Sequence, residues 1–129
     1  VGLAAVLRGG AVVDIDAILI EVLQRFEDPP KNVYVSWVDL DAVHKDWFDE
    51  NADWAACTWD KSEYKFIGLH PKLVRLRAPK YVLFYLIFHE VLHLVMPPHG
   101  LNSHHKFFRI AERLCPKYLQ SNDWLVRHH

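Results

Sequence analysis

From Tyr81 to Met96 the chain is apolar on nearly every side, and His89, Glu90 and His93 are what interrupts it. Pro79 stands just before this run and Pro97-Pro98 just after it, where proline opens and closes a helix. A helix that is apolar all round has no face to offer water, so other elements must surround it. The run is also too short to cross a bilayer. Whatever else this chain forms therefore has to pack around one buried helix.

The remaining patterns supply the casing. Ile15, Ile18, Leu19, Val22, Leu23 and Phe26 recur at helical spacing, with Asp14 as N-cap and Pro29-Pro30 as the stop. Residues 32–38 alternate as a strand, Val33, Val35 and Trp37 against Tyr34, Ser36 and Val38. Residues 39–53 are acidic and mixed, and read as loop. Residues 54–59 and 64–69 form a hairpin joined by the polar turn Asp60-Lys61-Ser62-Glu63, which His70-Pro71 ends. A last helix starts at Asn102 or Ser103 and ends near Cys115, before Pro116. The expected class is α+β: one small domain over residues 1–129, with an N-terminal helix, a three-stranded, mostly antiparallel sheet, a buried helix and a following helix.

Composition narrows the function. The 129 residues are 51% apolar and 24% charged, enough for a real core, and the formal charge of −1 lacks the basic excess of a phosphate-tracking surface. Lys72, Arg75, Arg77 and Lys80 read as a solvated face. Cys57 and Cys115 make neither a disulfide framework nor a cysteine zinc site, and read as small buried hydrophobes. The apolar opening, residues 1–13, lacks the charged region of a signal peptide, so a cytoplasmic protein without membrane contact is the expectation. The chain opens on Val1 and closes on His128-His129, which reads as a trimmed or tagged end; those two histidines take no part in the search for ligands.

His89 and His93 lie four apart, which turns a helix by about 400° and advances it by about 6 Å, so both imidazoles share one face at chelating distance. Glu90 is rotated by about 100° from His89 and can reach a water on the same ion. This is the content of the HExxH pattern: two imidazole ligands for zinc (Zn2+) and a carboxylate base. Zinc with three protein ligands keeps a position for water and lowers its pKa to about 7, and the glutamate takes the proton as a carbonyl is attacked. Without a metal, two histidines and a glutamate on a buried helix would be costly.

A third ligand has to come from downstream. Phe107, Phe108, Ala111 and Leu114 or Cys115 mark the inward face of the last helix, and His104 points inward with them. His105 turns to the polar flank with Arg109 and Glu112, and His99 sits in the Pro-Pro-His-Gly turn. The helix faces favour His104 and leave Glu112, His105 and His99 open. His70 reads as a hydrogen-bonded structural histidine, His44 as solvated, and Trp37, Trp54, Trp59 and Trp124 as core. Lys117 and Tyr118 lie in a tail that could cover a cleft.

The stretch Phe66-Ile67-Gly68-Leu69-His70-Pro71-Lys72-Leu73, the proline-started helix with Phe88-His89-Glu90-Val91-Leu92-His93-Leu94, and His104 with Phe108 four residues on resemble the SprT-like and YgjP-like zinc metallopeptidases, relatives of the minimal zincins. The resemblance runs from Cys57 to Pro116. It implies zinc on His89, His93 and His104, Glu90 as general base, and a peptide or protein substrate. His105 departs from the Gly or Ser frequent there, and no cysteine-rich ribbon follows, so a DNA-linked role does not carry over. Two other functions use the same residues: hydrolysis of another amide or small substrate, and a non-catalytic zinc module. A purely structural site is normally closed by four protein ligands and has no use for Glu90.

Overall fold

The computed structural model describes residues 5–6, 12–40, 54–61, 63–96 and 105–128. His44, His99 and His104 lie outside them, as do Ser62, Pro97-Pro98, Asn102, Ser103 and most of the acidic loop. Two short strands, β1 (Ala5–Val6) and β2 (Val12–Val13), pair antiparallel ahead of the first helix. The sequence patterns had not indicated them.

Helix α1 (Ile15–Leu23) begins where Asp14 accepts from the Ala17 amide at 3.1 Å. Ile15, Ile18, Leu19 and Val22 are buried, the face expected from their spacing. The helix ends before Pro29-Pro30 because its last amides tighten to i−3 carbonyls, Arg25 to Val22 and Phe26 to Leu23. Leu23 and Phe26 still pack against the core.

Strands β3 (Val33–Trp37), β4 (Ala56–Asp60) and β5 (Lys65–Leu69) form one sheet in the order β3-β5-β4. The hairpin β4–β5 is antiparallel, with Cys57 opposite Gly68, whereas β3 runs parallel to β5, with Val35 opposite Ile67. The three expected strands are present, and the sheet is mixed rather than mostly antiparallel. The hairpin is a local turn; the partner and direction of β3 follow from a long connection that periodicity cannot read. Gly68 is required by this packing: a Cβ there would lie 2.9 Å from Cζ3 of Trp59 and 3.3 Å from Cγ2 of Val38.

After β5, Pro71 leads into the short helix α2 (Lys72–Arg75), and Pro79 then caps the long helix α3 (Lys80–Val95). Ten residues of α3 are buried, including His89 and Glu90. The helix touches α1, β4 and β5, together with α4 (Lys106–Glu112) and α5 (Tyr118–His128). It is the enclosed axis that its all-round apolar pattern requires. Among the described residues no helix is long and apolar enough to cross a membrane.

Helix α5 takes the place of the expected tail. Ser121, Trp124 and Leu125 are buried at helical spacing. The Ser121 hydroxyl donates to the Lys117 carbonyl at 2.8 Å and lies 3.3 Å from that of Tyr81 at the start of α3. His128 stacks on Trp124, centroids 4.0 Å apart. The polar residues between these positions hid the stripe. Because α5 contributes core side chains, removing it would take away part of the fold along with any cover over a cleft.

Candidate metal centre

The last two turns of α3 carry His89, Glu90 and His93, whose ligand atoms lie within 4.8 Å of one another. Nε2 of His89 and Nε2 of His93 are 3.1 Å apart, as the i, i+4 spacing demands, and a Glu90 carboxylate oxygen is 3.8 Å from His89 Nε2. Glu90 is 3% exposed and His89 9%. Phe108 of α4 forms one wall: its ring centroid is 4.5 Å from that of His93 and 5.1 Å from that of His89. The two imidazoles are thereby packed from the side against a rigid ring.

The other nitrogen of His89 has its own partner. Nδ1 contacts the carboxylate of Glu112, and the Tyr85 hydroxyl donates to the same oxygen at 3.0 Å. Glu112 is only 5% exposed, which corrects the face expected for α4. The buried side is Phe108, Glu112 and Cys115; Phe107 and Leu114 are 54% and 77% exposed. A glutamate can sit inward because His89 and Tyr85 supply donors where solvent is excluded. The spacing of 108, 112 and 115 carried this signal, but it was masked by reading a glutamate as solvent-facing. Burial, then the neighbouring Glu112 charge, pushes the Tyr85 hydroxyl well above its ordinary range, so it stays protonated as a donor.

Of the other candidate residues, His105 is the N-cap of α4, with Nδ1 accepting from the Phe107 amide at 3.4 Å. His70 is 5% exposed, and its Nδ1 accepts from the Lys72 amide at 3.0 Å, fastening the turn after β5. That is the structural role expected of it. Lys72 lies over Trp54 and Lys80 pairs with Glu21 of α1 at 2.9 Å. Tyr118 packs its ring on Tyr85, centroids 5.8 Å apart, which brings α5 to the side of α3 where Glu112 meets Nδ1 of His89.

Both cysteines are buried and free, as their reading as small hydrophobes expected. Burial, followed by the Glu90 charge, pushes the Cys57 thiol far up; burial pushes Cys115 up to about 12 from the ordinary 9.0. Both are therefore thiols at neutral pH, and iodoacetamide at about pH 8 should label them far more slowly in native protein than in denaturant. Rapid native labelling, read by mass spectrometry, would contradict their burial. The sign of the stability effect follows. An unfolded chain ionises Cys115 near 9.0 and the folded one near 12, so this contribution is whole below pH 9 and declines as pH rises through that window.

Against known proteins, the family model for the YgjP-like metallopeptidase domain matches residues 45–128, well over half of the chain. No curated protein and no solved structure gives a match.

Proposed function

This chain belongs to the YgjP-like metallopeptidase family, and on that premise we propose that it hydrolyses peptide bonds with zinc held by His89, His93 and His104 and Glu90 as the general base. The observation that carries this reading is the convergence of two imidazole Nε2 atoms, 3.1 Å apart, with a buried carboxylate beside them on one helix. The donor set suits zinc: imidazole nitrogens are among its preferred ligands, and the Phe108 ring packs beside both of them. His104 lies outside the described residues and enters through the helix-face reading and the family resemblance.

A zinc ion bound there would supply Lewis acidity, acidifying a water and polarising the carbonyl under attack. The chain's own residues do the rest. The Glu90 carboxylate accepts the proton of the attacking water and passes it to the leaving amine nitrogen. Strand β4 packs on α3 and, among the described residues, is an edge of the three-stranded sheet, the kind of element beside which an extended peptide can be bound. A peptide substrate of that kind separates this reading from hydrolysis of a small amide, which has no use for a strand edge.

Purified protein should contain about one zinc per chain, and a chelator should abolish cleavage of an unstructured protein and lower the melting temperature. Binding at a thousandfold excess over Kd stabilises a fold by about 4 kcal/mol. Untagged protein expressed with ample zinc that holds no transition metal would end the zinc reading. Zinc-loaded protein that cleaves nothing in a broad peptide library would end the peptidase reading and leave the metal site.

A further inference from the structure

Glu112 and Tyr85 have no part in the chemistry described above, yet both are buried and both converge on His89. They reach it from different directions: Tyr85 stands one turn before His89 on α3, and Glu112 comes from α4, 23 residues further along the chain. The carboxylate meets Nδ1, whereas Nε2 of the same ring is the atom that faces His93 and Glu90. An imidazole whose Nδ1–H donates to a carboxylate is held in one tautomer, with its lone pair on Nε2. The Tyr85 hydroxyl donates to the same Glu112 oxygen and lies 3.4 Å from Oδ1 of Asn122 on α5. A carboxylate anchored in this way keeps one position instead of sampling rotamers.

We infer that Glu112 and Tyr85 form a positioning unit that sets the tautomer and ring orientation of His89, so that Nε2 is presented to the metal, and that Glu112 is not itself a ligand. This rests on the zinc reading of the same site. Glu112 is the positioning residue proper, and Tyr85 acts through it. The unit also links α4 and α5 to the metal-binding turn of α3, which gives those two helices a role in the site although neither contributes Nε2 or Glu90. Glu112, one of the candidates left open for the third ligand, thus acts on the ion through His89.

Two readouts test the inference without any activity assay. The first is zinc affinity by competition with a chromophoric chelator, for wild type, Glu112→Gln, Glu112→Ala and Tyr85→Phe. Glu112→Ala should weaken zinc binding by about 10- to 100-fold, Glu112→Gln by about tenfold, and Tyr85→Phe by less than either, the scale of losing an outer partner of a ligating histidine. The second is the tautomer of His89 in metal-free protein, from long-range 15N–1H NMR correlations. Wild type should show the Nδ1–H form, and Glu112→Ala should lose that bias. Glu112→Gln keeps the side-chain volume, so it answers the question if the alanine variant does not fold.

Unchanged zinc affinity in Glu112→Gln and Glu112→Ala would overturn the inference, as would an Nε2–H tautomer in wild type or a zinc-bound structure with a Glu112 oxygen on the ion. Wild type that binds no zinc would instead sink the reading beneath it. The tautomer measurement, made without metal, would still decide whether Glu112 orders His89.

Discussion

Glu90→Gln will cut turnover of an unstructured peptide by about 10²-fold or more while leaving zinc content and fold intact, the scale of losing a general base. The substitution is isosteric, so the buried space between α3 and its neighbours stays filled; Glu90 is 3% exposed. The amide can still accept a hydrogen bond from a water, but it cannot take a proton at neutral pH. The two imidazole nitrogens remain 3.1 Å apart on their own turn of helix, independent of residue 90. Turnover, metal content by elemental analysis and circular dichroism should be measured on one preparation. Loss of zinc would place Glu90 among the ligands, an arrangement that its distance of 3.8 Å from His89 Nε2 keeps within reach. Activity within a few fold of wild type would remove the general-base role.

Ile87→Ala is expected to destabilise the protein by about 2–5 kcal/mol, the range for deleting a large buried aliphatic side chain. Ile87 is 0% exposed on the helix that touches α1, α4, α5, β4 and β5. With neighbours on every side of α3, collapse into the cavity is opposed from several directions, which holds the cost toward the upper part of that range. A domain of ordinary stability has only about 5–15 kcal/mol in total, so the variant should unfold at markedly lower urea with an unchanged m-value. A loss below about 1 kcal/mol would mean that α3 is not the packed axis described here.

Features that depend on near neighbours were legible. The pattern from Pro79 to Met96 specified a buried helix, because proline geometry and an all-round apolar surface act within that segment. The facing of His89 and His93 follows from helical pitch alone. Asp14 as an N-cap and the β4–β5 hairpin are local in the same sense. Helix α5 was missed although Ser121, Trp124, Leu125 and His128 are spaced for it; the intervening charges concealed a narrow buried stripe.

Tertiary structure decided what depends on partners distant in sequence. The parallel pairing of β3 with β5 spans 32 positions in register, Val33 to Lys65, and no local period encodes which edge a strand joins. Glu112 is the sharper case. In sequence it stands among Arg109 and Arg113 and reads as a solvent-facing residue; in the fold it meets His89 and Tyr85 inside the protein. Whether a carboxylate is buried turns on whether donors wait for it there, because burying one without them costs several kcal/mol, more than its own helix can return. The residues named by the HExxH pattern are thus a property of one helix. The Nδ1 partner of His89 exists only once α4 has folded against α3.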